Sequence, residues 1–230
     1  MDLSISRLGP AKINSPLKLS TKRGDRVCNF VPDDDRILYE VSLRACQACR
    51  SDTAFEPLTM EQAGPREHIY FDPSKVRVGI VTCGGLCPGI NNVIRSMVME
   101  LHYHYEVRHI FGFKYGYAGL VPEAGYDVID LTPALVKNIH HDGGTILGSS
   151  RGHQEEETMV DTLERMGIGI LFTIGGDGTG PSSPPQSATP YRGGSKGSPR
   201  GRALPPWSFA AAFFTTICRI SKFGGCSTFF

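Results

Sequence analysis

The chain has 230 residues, 40% of them hydrophobic, enough for one large domain or two small ones with a sizeable core. Its 24 lysines and arginines against 23 acids leave a net charge of +1, so nothing in the total favours nucleic acid or an acidic surface as a partner. A membrane span is excluded as well: no apolar stretch reaches roughly 18 residues, and residues 207–218, WSFAAAFFTTIC, come closest.

Seven cysteines, an odd number in a chain too large to need disulfide staples, favour a reducing compartment. The first 26 residues hold six basic side chains against Asp2 and Asp25 and have no apolar signal core. They read as a disordered leader, with an organelle transit peptide as the alternative. Residues 1–60 form a partly disordered N-terminal extension whose one helical pattern is RILYEVSLRACQACR, residues 36–50. Cys46 and Cys49 have the spacing of half a zinc site, but no second pair accompanies them, so they read as two thiols on one helix face.

From Lys75, KVRVGIV is a β-rich apolar run that stops at TCGGLCPGINN, and VIRSMVMELHYHY then places apolar residues at helical spacing. VRHIF, residues 107–111, reads as a second strand, followed by the glycine-punctuated GFKYGYAGL. Thr132 and Pro133 look like an N-cap and first helical position, with a helix through ALVKNIHH and a stop at Gly143 and Gly144. TILGSSRG is expected to give a short strand and a turn. Residues 155–166, EEETMVDTLERM, predict a helix with acids in its first turn. Residues 168–174, IGILFTI, suit a strand buried on both faces. Strands alternating with helices predict an α/β fold with a doubly wound, mostly parallel sheet of Rossmann type. Ligands bind such sheets beyond the carboxyl ends of the strands.

Three glycine-rich turns, at Gly84, at Gly148 to Gly152 and at Gly175, are expected at three such ends. Glycine permits positive φ and lets a phosphate approach the backbone amides, and a following helix N-terminus adds partial positive charge. Asp177, alone among glycines, has the character of a Mg²⁺ ligand, the alternative being an aspartate that caps its own turn. Arg151 could clamp a phosphate bidentately. Lys114, Tyr115 and Tyr117 could shape the rim, the alternative for the aromatic residues being simple packing, whereas His102, His104, His140 and His141 read as structural or solvated.

Together IVTCGGLCPGINNVIR, FKYGYAGL, DGGTILGSSRG and FTIGGDGT resemble the N-terminal nucleotide-binding half of a 6-phosphofructokinase. The TCGGLCPG segment is similar to the branch found in plants, protists and some bacteria. The resemblance covers residues 62–179 and implies an incomplete phosphofructokinase fold, with 61–179 as the partial nucleotide-binding domain and 180–230 as a divergent low-complexity tail. It implies that Gly84, Arg151, Gly152, Gly176, Asp177, Gly178 and Thr179 contact ATP, with Asp177 also serving Mg²⁺. In this family glycine after G-G-D leaves room for ATP where pyrophosphate users tend to carry a second aspartate, so Gly178 points to ATP. Fructose 6-phosphate is the other substrate implied for the intact family, whose members are typically homo-oligomeric and cytoplasmic, some plant relatives being plastidic. Arg95 keeps one of two effector arginines of the bacterial type and Met99 replaces the other, which argues against bacterial-style effector control.

Beyond Thr179 the sequence departs from that family. The helix and the P-K-T-I-D-N-D segment, whose first aspartate takes the proton of the sugar hydroxyl, have no counterpart, so no catalytic residue is assigned. Residues 180–230 hold six basic residues and no acid, which reads as a frameshift, a retained intron or a faulty gene model. The expected activity is that of an ATP-dependent 6-phosphofructokinase lineage in a chain that is itself inactive. The alternatives are a non-catalytic nucleotide-binding or regulatory fragment and a pyrophosphate-dependent phosphofructokinase. An NAD or diacylglycerol kinase is disfavoured, because those families do not pair TCGGLCPGIN with GGDGT.

Overall fold

The computed structural model describes residues 9–22, 24–43, 47, 57–152 and 154–175, in two compact units that divide after Tyr70. The first unit is built of short antiparallel pairs. Strand β1 (Ile13–Asn14) pairs with β4 (His68–Ile69), and β2 (Arg36–Leu38) with β3 (Thr59–Glu61). Arg66 ties its loops together by donating to the carbonyls of Val31, Pro32 and Gln62. The helix expected over residues 36–50 is corrected at its start. Arg36 to Leu38 form a strand because Ile37 registers with Met60 and Arg36 meets Glu61 at 3.7 Å, a tertiary pairing that outweighs local helical preference. Leu43 and Gln47 are helical, while residues 44–46 and 48–50, including Cys46 and Cys49, lie outside the described residues.

The second unit carries a four-stranded sheet in the order β7-β6-β5-β8. Strand β5 (Arg77–Thr82) runs parallel to β6 (His109–Phe113) and to β8 (Ile170–Ile174), and only β7 (Val128–Asp130) is antiparallel. Five consecutive residues of β5, Val78 to Thr82, are buried, which requires cover on both faces of the sheet. On one face Val81, Cys83, Phe113 and Leu171 pack with Leu163, Met159 and Met166 of helix α3 (Glu156–Met166). By strand alternation Ile80, Ile110 and Gly112 point to the other face, where Gly112 lies against Leu131 and Leu147. Helix α1 (Ile90–Tyr103) buries Ile90, Ile94, Met97, Val98 and Leu101, the stripe of an amphipathic helix. The chain leaves β5 through α1 to β6 and returns through α3 to β8 on the other side of β5. Right-handed crossovers in opposite directions put their helices on opposite faces, so the fold is the doubly wound α/β type expected.

Three boundaries differ from the sequence reading. The second strand starts at His109 rather than Val107, because Glu106 has φ +60° and the Val107 amide turns back to the Leu101 carbonyl. The helix after Thr132 is one turn, α2 (Pro133–Val136), capped by the Thr132 hydroxyl on the Leu135 amide and followed by a 3-10 turn at Ile139–His141. No strand forms at Thr145 to Leu147. Asn91 Oδ1 takes the Ile146 amide and Thr145 Oγ1 takes the Leu147 amide, so one distant and one local side chain replace a sheet ladder. No helix among the described residues is long and apolar enough to cross a membrane.

Phe113 is fully buried between β5 and α3, so Phe113→Ala is expected to lower unfolding free energy by about 3–5 kcal/mol, read from the urea midpoint. The Asp72 carboxyl is held down to about 2 by hydrogen bonds from Lys75 and Ser74. Its stabilising effect is complete above the ordinary carboxylate value near 4 and is lost as pH falls towards 2. An acid titration of Asp72→Asn should therefore show a shallower loss of stability across that window.

Candidate functional site

Parallel pairing fixes where the site sits. Thr82 registers with Ile174, so the turns that leave β5 and β8 begin side by side, and the Cys83 amide donates to the Ile174 carbonyl at 2.8 Å. Beside β5 the chain direction reverses, the point where open α/β sheets form a crevice. Gly84 and Gly175, starting two of the three expected turns, thus lie at one edge. The Gly148 turn follows no strand, yet it is drawn to the same edge by direct bonds. Gly84 donates its amide to the Ser150 carbonyl at 3.3 Å, and Ser149 Oγ donates to the Gly84 carbonyl.

Between these two loops lies a cleft of about 330 Å³, lined by Gly84, Gly85, Leu86, Thr145 and the run from Gly148 to Arg151. That volume is at the lower end of small-ligand sites. Among the described residues the lining holds one cation, Arg151, and no carboxylate. Arg151 is exposed and reaches across, its Nη2 lying 3.7 Å from where a Cβ on Gly85 would stand. Gly84 and Gly148 have φ of +81° and +67°, a region where a side chain would be strained. The amides of Gly85, Ser150 and Arg151 make no hydrogen bond among the described residues. Unpaired backbone donors, one guanidinium and, among the described residues, no acid make a cleft fit for an anion with several oxygens.

The supporting bonds come from residues that the sequence reading passed over. The Thr82 side chain, 1% exposed, lies 3.1 Å from Thr145 Oγ1 and donates to the Gly148 carbonyl. Asn91 at the start of α1 is 2% exposed and spans the second turn, its Nδ2 donating to the Asp142 carbonyl at 3.1 Å and its Oδ1 accepting from Ile146 at 2.8 Å. The available signal was a polar residue inside each apolar run, Thr82 at the end of KVRVGIVT and Asn91 opening a helix. Beneath the first loop, burial pushes the Cys83 thiol up to about 11, so it is a protonated packing group at neutral pH.

Of the expected site residues, Gly84, Arg151 and Gly152 fall at this edge, Gly152 with φ +116° and open space around it. Gly176, Asp177, Gly178 and Thr179 lie outside the described residues. Tyr115 touches the second loop, whereas Tyr117 packs against the core and burial pushes its hydroxyl up to about 12. The four histidines expected to be structural or solvated make contacts with their sequence neighbours. His104 is bonded to Glu100 at 2.7 Å, His102 packs on Tyr103, and His140 and His141 lie ring to ring at 3.9 Å. Arg95 donates to the Lys137 carbonyl and so ties α1 to the end of α2. Asn91→Leu would strand two backbone groups and should lower unfolding free energy by about 2 kcal/mol, with faster hydrogen exchange at Ile146.

The phosphofructokinase family matches this chain over residues 77–182, the stretch that carries both loops. The ATP-dependent 6-phosphofructokinase of Amycolatopsis methanolica is 49% identical over 179 residues, covering 77% of this chain and 38% of that protein. That of Borreliella burgdorferi is 46% identical over 179 residues, covering 78% of this chain and 39% of its own length. Among solved structures, phosphofructokinase from Pichia pastoris in the T-state is similar at 26% identity with a TM-score of 0.40, covering 54% of this chain and 14% of that one. The chain spans under two fifths of the length of the curated relatives it matches. It is a partial member of the phosphofructokinase family.

Proposed function

We propose that residues 61–179 form an ATP-binding unit of a 6-phosphofructokinase, the phosphates lying in the cleft between the Gly84 and Gly148 loops. The observation that carries this is the meeting of two glycine loops at one sheet edge, with amides of Gly85, Ser150 and Arg151 and the Arg151 guanidinium around a cleft that no carboxylate lines among the described residues. Such a lining favours a polyphosphate over a neutral or cationic ligand. Gly84, Arg151 and Gly152 would contact ATP from the described part of the site, and Gly176, Asp177, Gly178 and Thr179 from the third turn. Asp177 would hold Mg²⁺. Among the described residues no group of three His, Cys, Asp or Glu side chains could hold a metal, so the magnesium role rests on Asp177 and the phosphates. When bound, the ion would neutralise the negative charge of the phosphates. The donor is ATP rather than pyrophosphate on the strength of Gly178, and the acceptor of the intact family would be fructose 6-phosphate.

Within these 230 residues no segment resembles the family's proton-accepting aspartate or its sugar-phosphate half. General-base catalysis contributes on the order of 10² to 10⁴ in rate and positioning of the acceptor contributes more, so binding without turnover is the reading for this chain by itself. Calorimetric titration should give saturable Mg-ATP binding, weakened about tenfold in Arg151→Ala and weakened again in Asp177→Asn. A coupled assay with fructose 6-phosphate should give no rate above background. Equal affinity of Arg151→Ala and the parent chain would remove the assignment of the cleft to phosphate. Turnover by the chain alone would overturn the reading as a non-catalytic fragment.

A further inference from the structure

The turn after β6 places two left-handed residues in succession, Tyr115 at φ +58°, ψ +42° and Gly116 at φ +60°. Glycine is required at the second. A Cβ there would stand 2.9 Å from the Thr82 carbonyl oxygen, 3.1 Å from Cys83 Sγ and 3.1 Å from Ser150 Oγ, so this turn is wedged against the end of β5 and against the second loop at once. At the first position glycine or asparagine would adopt the same backbone at lower cost, yet a tyrosine occupies it.

Its ring supplies the reason. Tyr115 lies over Gly148, where a Cβ would fall 2.9 and 3.0 Å from ring carbons. Tyr126 braces the same ring, with ring centres 4.6 Å apart and the planes tilted by 48°. Its amide donates to the Leu147 carbonyl at 2.7 Å. The peptide that leads into the cleft is thus gripped by backbone on one residue and by an aromatic face on the next.

We propose that Tyr115 is a positioning residue for the second anion-binding loop: its ring, braced by Tyr126, presses on Gly148 and fixes the direction in which the Ser149 to Arg151 backbone enters the cleft. The chemical class served is the polyphosphate of the preceding section, and this part rests on that reading. A tyrosine kept in a left-handed position is an energetic burden that the loop contact offsets. A residue that served the turn alone would be improved by glycine.

That contrast gives the test, made on the full chain by residue-resolved hydrogen exchange of the bonded loop amides Ile146, Leu147, Gly148 and Gly84. Tyr115→Gly relieves the backbone and removes the ring. It should hold or raise the melting temperature while those amides exchange about tenfold faster and the β5 amides Val78 to Val81 stay unchanged. Tyr115→Phe keeps the ring and should exchange like the parent. Loop exchange in Tyr115→Gly equal to the parent's, or a loss as large in Tyr115→Phe, overturns the proposal. Titration with inorganic tripolyphosphate separates the two claims: a parent chain that does not bind it removes the polyphosphate reading, while the exchange pattern alone decides the role of Tyr115. Where the parent binds, Tyr115→Gly should bind about fivefold more weakly and Tyr115→Phe equally well.

Discussion

The meeting of Gly84 and Gly175 at one edge follows from β5 lying parallel to both of its neighbours. A strand with parallel partners on either side delivers its carboxyl end to the same edge as theirs, and the chain must turn there before it can cross back. Because β5 is buried on both faces, its end cannot drift or slip in register without exposing Ile80 or Val81. The position of Gly84 next to Gly175 is therefore set by hydrophobic burial along the whole strand, and the cleft inherits that rigidity.

The second loop reaches the same edge by other means. It has no strand to deliver it, so its place depends on side chains of its neighbours: Thr82 from β5, Asn91 from α1 and Tyr115 from the turn after β6. Three elements that are distant in sequence converge on one irregular segment of about seven residues. Buried polar groups with satisfied bonds are demanding of geometry, and this is where the fold exchanges regular backbone pairing for specific contacts. Arg151 then extends from a loop that is held from three sides.

The contrast explains what could be read in advance. The strand-turn-helix order and the doubly wound class were legible, because long apolar runs and clustered glycines have short-range causes. Arg36 to Leu38 were misread as helix because their strand exists only by pairing with Thr59 to Glu61, more than twenty residues later. The strand expected at TILG failed for a related reason: its amides are claimed by Asn91 and by its own Thr145, partners that no periodicity reveals. For the same reason the particular contacts of Thr82 and Tyr115 with Gly148 could not be read in advance, since each spans more than thirty residues of sequence.

The antiparallel strand β7 has a bearing on solubility. It closes one side of the sheet with only three residues, and the exposed carboxylates of Asp127 and Asp130 stand at either end of Val128 and Ile129. A strand from another molecule seeking to extend the sheet there would find a short ladder flanked by charge, the arrangement by which natural proteins discourage edge-to-edge aggregation. On that flank the sheet carries its own guard against self-association.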